Sequence, residues 1–296
     1  MCGGYASYYR YKHINMNFDS SSQKSHWLKT PNGSLSENES LVVRKLGEKI
    51  FEIGQKLNYR KNVILTSISY LRRYYRAEKN ILSVDPFLNL VTCIYLAAKV
   101  EEEPPPQGYE RSQRGINLSL LIKEVKGNLN DRELETFKRK AVENEIYLLS
   151  VINFDLLCFH PLKPAVGFLE EVSKTDWFDI GFLSEIKNQV WFNCVHSYLI
   201  DELIFEYPPS VLGASSLYVA LKSKLTEEIC YHEYIPFIYS LLKSENLSQD
   251  KIQRAILNSS NVLENGLRQE SSEKARIAFE NFLKFYQPGN GGMFNN

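Results

Sequence analysis

The sequence predicts an all-α fold: two tandem five-helix repeats with flanking N- and C-terminal segments. Three observations predict it. Apolar residues recur at helical spacing along most of the 296-residue chain, and no run alternates apolar and polar residues between turn signals as a strand would. A shift of 123 residues places Pro86 on Pro209 and lays the segment Cys93 to Lys99 over Ser216 to Lys222. The same shift carries Ile68, Leu71 and Tyr75 onto Trp191, Cys194 and Tyr198, so one displacement aligns two helices and the proline that starts the second. Between the copies, Cys158 to Pro164 holds two prolines and reads as the boundary. The expected segments are an N-terminal arm (1–34), a first repeat (35–157), a second repeat (158–270), and a C-terminal helix with a polar tail (271–296).

The elements follow in order. Ser36 and Glu39 fit a capping box, and Leu41, Val42, Leu46, Ile50, Ile53 and Leu57 continue it at helical spacing. Val63 to Ala77 reads as the second helix. Asp85 suits an N-cap and Pro86 the first helical position of the third, which runs to Glu102. Its small residues predict that it is the most enclosed helix. The three prolines and two glycines of 103–116 demand a loop. A short helix near Leu118 to Lys126 and a longer one from Asp131 to about Ile152 complete the first repeat. Phe137, Ala141, Ile146, Leu149 and Ile152 are placed on one face of the longer one. The second repeat is expected to have helices near 164–174, 183–204, 208–224, 231–243 and 248–266, with a last helix at 272–286.

Composition excludes several functions. Lys+Arg and Asp+Glu are both 35, so the basic excess of a generic nucleic-acid binder is missing. No apolar run reaches the roughly 18 residues that cross a bilayer, and no secretory leader is evident at the start. The five widely spaced cysteines fit neither a disulfide framework nor a zinc site, and Cys93 and Cys194 read as buried small hydrophobes. No phosphate-binding, nucleophile-elbow or H-x-x-x-H pattern occurs, so neither a cofactor nor a metal is expected. His160 and His196 read as histidines satisfied within the fold. Arg72, Arg73, Arg76 and Lys79 read as a solvated face with cations near a helix C-terminus.

Two segments carry a family resemblance. Leu96-Ala97-Ala98-Lys99-Val100-Glu101-Glu102 resembles the end of the third helix of a cyclin box, and Glu145 to Leu156 resembles its fifth helix and exit. Their order matches the family, and the resemblance covers roughly residues 25–270. Ser25-His26-Trp27-Leu28, Ser83-Val84-Asp85-Pro86, Glu206-Tyr207-Pro208-Pro209 and Phe159 to Pro164 are similar to the transcriptional branch, nearest to the cyclin C type. Val100-Glu101-Glu102 followed by prolines is also similar to cyclins K and T, and the linker to cyclin H. The resemblance implies a nuclear, non-catalytic regulatory subunit that forms a heterodimer with a cyclin-dependent kinase. The implied kinase is the Mediator-associated one of RNA polymerase II transcription, with further Mediator kinase-module subunits as possible partners and no membrane or direct nucleic-acid contact. The alternatives are another transcriptional kinase as partner, or a promoter-binding factor on the same fold. By resemblance, Lys99, Glu145, Glu101 and Glu102 face the kinase.

Overall fold

The computed structural model describes residues 35–78, 84–104, 116–177, 180–226, 228–242, 248–269 and 273–285. The expected N-terminal arm, Lys79, most of the 103–116 loop and the polar tail lie outside the described residues. Every regular element among the described residues is helical. The chain divides into two units, one holding 35–158 and the last helix, the other 159–269.

The first unit begins with α1 (Glu37–Lys56), closed by the expected capping box. Ser36 Oγ accepts from the Glu39 amide at 3.4 Å, and the Glu39 carboxylate accepts from the Ser36 amide at 2.9 Å. Its face of Val43, Leu46, Ile50 and Ile53 is buried against α2 (Lys61–Ala77). α3 (Pro86–Val100) starts where Asp85 Oδ1 accepts from the amides of Phe87 and Leu88, with Pro86 at the first position, as expected. α4 (Leu118–Lys126) is capped by Asn117 and ends at Gly127, whose φ of 81° needs a residue without Cβ. α5 (Asp131–Val151) carries a second capping box, Asn130 with Glu133. The last helix, α12 (Glu273–Phe285), packs back on α1.

Three expectations need correction in this unit. The most enclosed helix is α2, not α3: every residue from Val63 to Tyr75 is buried. Arg72 and Arg73, read as solvated, are therefore interior, because Leu71, Tyr74 and Tyr75 bury the helix on all sides around them. Ile146, placed on the buried face of α5, is 69% exposed. The buried stripe of that helix is Leu134, Ala141, Asn144 and Leu148. Ile146 lies about 200° round the helix from both Asn144 and Leu148 at 100° per residue.

The second unit runs α6 (Leu162–Val172), a 3-10 turn (Ile180–Phe182), α7 (Leu183–Tyr198), α8 (Asp201–Glu206), α9 (Pro209–Lys222), a wide π turn (Ile229–Tyr234), α10 (Ile235–Leu242) and α11 (Gln249–Gln269). The expected break is present: α5 ends at Val151 and no helix resumes before Leu162. Pro161 is the N-cap of α6 and Pro164 falls in its first turn, where amides have no intrahelical partner to lose. The helix expected over 183–204 is interrupted at Leu199 and Ile200. Leu199, Ile200, Leu203, Ile204 and Phe205 are all buried. The helix expected over 231–243 begins with a π turn before Pro236, which has no N–H for the carbonyl four residues back. α9 is the enclosed helix here. Gly213 lets it approach α6: a Cβ there would lie 2.8 Å from the Pro161 carbonyl oxygen.

The 123-residue shift is reproduced by the helices themselves: α2 and α3 map onto α7 and α9 within one or two residues at each end.

Candidate functional site at the ends of α3 and α5

α3 ends in a tight cap. The Glu103 amide donates to the Ala98 carbonyl at 2.8 Å and the Glu102 amide to Lys99 at 3.3 Å. This is a Schellman motif with Glu102 in the left-handed position, φ 51°. α1 and α5 end the same way with Asn58 and Asn153 there, a residue type that tolerates the conformation. Glutamate does not, so Glu102 holds local strain. Glu102→Gly is expected to raise the stability of the free chain by about 1 kcal/mol. Urea unfolding measures it, and unchanged or lower stability contradicts the strain.

The cap sorts four charged residues. Lys99, in the last turn of α3, lies over the Tyr95 ring, 4.5 Å from its centroid, and its ammonium is paired with Glu145 of α5. The Lys99 side chain is 41% exposed and that of Glu145 13%. Glu101 accepts a hydrogen bond from Thr66 Oγ1 at 2.6 Å, which fixes its carboxylate against α2. Glu102 is exposed. Glu103, which sequence reasoning passed over, is buried: it accepts from Arg60 Nε at 2.8 Å and from the Arg60 amide at 3.3 Å. Burial, with Glu103 nearby, raises the Tyr59 hydroxyl well above its usual pKa.

Arg73 is the other residue that sequence reasoning missed. It is 2% exposed and reaches across to the segment leaving α5. Nη1 donates to the Asp155 carbonyl at 2.7 Å, Nη2 to the Ile152 carbonyl at 3.4 Å, and Nη2 lies 3.2 Å from the Asp155 carboxylate. Tyr70 donates to the Leu156 carbonyl at 2.8 Å. α2 thus fastens the exit by its main chain, and the side chains of Phe154 and Leu157, 66% and 63% exposed, project outward. The signal was available: two adjacent arginines flanked by Leu71, Tyr74 and Tyr75 leave no polar side for both to occupy.

The pair Lys99–Glu145 also has apolar company. Val142, Glu145, Ile146 and Leu149 stand at i, i+3, i+4 and i+7, one stripe of α5. Val142 is 48% exposed and Ile146 more so. The ion pair therefore lies beside exposed apolar side chains.

A family model described as the cyclin N-terminal domain matches residues 17–157. The matched stretch is similar to a cyclin N-terminal domain. The relatives of the chain include cyclins of the C type. Cyclin-C1-1 of Oryza sativa subsp. japonica is 28% identical over 195 residues, 65% of this chain and 67% of that protein. The RNA polymerase II holoenzyme cyclin-like subunit of Emericella nidulans is 22% identical over 235 residues, 73% of this chain and 70% of the relative. Among solved structures, a chain of the yeast TFIIK complex of Kin28, Ccl1 and Tfb3 has a TM-score of 0.59. It is 21% identical, and the match covers 82% of this chain and 99% of that one, a likeness in fold.

Other titratable groups are structural. Burial pushes the thiols of Cys93 and Cys158 above their usual range. Cys93 and Cys194 are fully buried, as expected. In the second unit, the Tyr198 hydroxyl donates to the Phe159 carbonyl at 3.0 Å, so His160 Nδ1, 2.9 Å away, is the donor to that hydroxyl. His196 is buried with its ring 4.0 Å from that of Phe192. Among the described residues, no group of three His, Cys, Asp or Glu could hold a metal ion, and no helix is long and apolar enough to cross a membrane.

Proposed function

We propose that the chain is a regulatory cyclin subunit that binds and activates a cyclin-dependent kinase in RNA polymerase II transcription. The observation that carries this reading is the Lys99–Glu145 pair, set in an uncovered apolar stripe at the paired ends of α3 and α5 of a cyclin domain. The RNA polymerase II name borne by relatives supports the process.

On this reading the docking residues are Lys99, Glu145, Glu101 and Glu102. An ammonium has three donors and Glu145 takes one, which leaves Lys99 two for carbonyls of the kinase. Glu145 holds Lys99 in place, Glu101 is steadied by Thr66, and Glu102 presents an exposed carboxylate. Docking covers the stripe formed by Val142, Ile146 and Leu149. Activation is a population shift: the cyclin binds the active arrangement of the kinase better than the inactive one and moves the equilibrium by that difference. The chain contributes no catalytic group, works in the nucleus, and has the Mediator-associated kinase as its partner. The zero net charge gives no support to a role that rests on direct DNA contact. Calorimetric titration with the purified Mediator-associated kinase tests the pairing. Binding with a negative heat-capacity change fits burial of the stripe, and no binding contradicts it.

A further inference from the structure

The second repeat carries the same charged cluster. Lys222, which the 123-residue shift places under Lys99, ends α9 as Lys99 ends α3. Its ammonium is 2.8 Å from Glu264 of α11 and 5.9 Å from the centroid of the Tyr218 ring. Tyr218 is the counterpart of Tyr95 under the same shift. Two turns before each lysine, a second polar bridge joins the same helix pair. Asn144 donates to Thr92 at 3.1 Å in the first repeat, and the hydroxyls of Ser215 and Ser259 are 2.5 Å apart in the second. Glu264 comes one turn further along α11 than the serine bridge alone would place it. Lys222, with its long flexible stem, still reaches it.

The surroundings of the two pairs differ. Three residues before and one after Glu145 stand Val142 and Ile146, both exposed and apolar. The same offsets from Glu264 are Asn261 and Asn265, both exposed amides. The fold therefore repeats the ion pair without repeating the apolar stripe.

We propose that the Tyr–Lys–Glu cluster is a clamp belonging to the fold, present as Tyr95–Lys99–Glu145 and again as Tyr218–Lys222–Glu264. Val142 and Ile146 are the residues that turn the first copy, and not the second, into a kinase-docking surface. A feature needed only for docking has no reason to recur where the flanking surface is polar. A feature that fastens the third helix of each repeat to its fifth has. The second half of the proposal rests on the kinase-docking reading above; the first half does not.

The test separates them. Double-mutant cycles are measured on the full chain alone by urea unfolding, pairing Lys99→Met with Glu145→Gln and Lys222→Met with Glu264→Gln. Coupling that changes the unfolding equilibrium constant by about two- to fivefold is expected in both repeats, since both pairs are partly solvated. Coupling in neither pair, or in the first pair alone, overturns the clamp. Binding of a purified cyclin-dependent kinase is then titrated against two further variants. Val142→Asn with Ile146→Asn, which copies the second repeat onto the first, should weaken binding about 30-fold or more at unchanged melting temperature. Asn261→Ala with Asn265→Ala should leave affinity unchanged. Wild-type affinity in the first variant, or lost affinity in the second, overturns the assignment of the stripe. A wild-type chain that binds no such kinase overturns the docking reading and the role of the stripe with it. The cycles in the free chain still decide the clamp.

Discussion

Replacing Arg73 by alanine should lower the unfolding free energy of the first unit by about 3 kcal/mol, the largest stability loss expected of any single side chain at the site. The guanidinium is buried and serves two main-chain carbonyls and one carboxylate. Its removal leaves the Ile152 carbonyl without this donor and opens a cavity inside α2. Arg73→Lys should recover only part of the loss, because one ammonium cannot span both carbonyls with the geometry of a planar fork. Urea unfolding of each variant measures this. A loss under about 1 kcal/mol would mean that Tyr70 and the hydrophobic contacts hold the exit of α5 unaided.

Replacing Lys99 by alanine should have the largest effect on partner binding. In the free chain the loss is small, about 1 kcal/mol or less, because water reaches the ammonium. Kinase docking removes that water. Glu145, already mostly buried, is then left desolvated and unpaired, at a cost of about 2 to 5 kcal/mol. That corresponds to roughly a 30- to 4000-fold loss of affinity at about 1.4 kcal/mol per tenfold. Calorimetry of the variant alone and then with kinase separates the two contributions. Near-wild-type affinity would remove Lys99 from the interface.

Much of this was legible in the sequence because local rules and tertiary packing agreed. Ser36 with Glu39, Asp85 with Pro86, and the shift of Pro86 onto Pro209 are short-range signals, and the structure realises each where the pattern puts it. Lys99 and Glu145 lie 46 residues apart and were found as a pair only through resemblance, yet they meet. What stayed hidden depends on the far side of a helix. Periodicity shows that α5 has a buried face, but at 100° per residue Ile146 falls about 140° from Ala141, off the face expected for it. Arg73 was misread because cations near a helix end are usually solvated, although the flanking Leu71, Tyr74 and Tyr75 already argued for burial. The interruption at Leu199 and Ile200 stayed hidden because the apolar pattern runs through both segments with no glycine or proline to stop it. The clamp of the second repeat escaped notice because Glu264 lies among polar neighbours, where a glutamate attracts no attention.

As a regulatory cyclin, the chain should switch on a cyclin-dependent kinase. The direct measurement is phosphate transfer to a peptide of the RNA polymerase II C-terminal repeat, with purified chain and purified Mediator-associated kinase assayed separately and together. The expected result is no transfer above background by the chain alone, little by the kinase alone, and a rise of at least tenfold when the two are mixed, lost in Lys99→Ala. Transfer by the chain alone, or no rise with this or any other cyclin-dependent kinase, would contradict it.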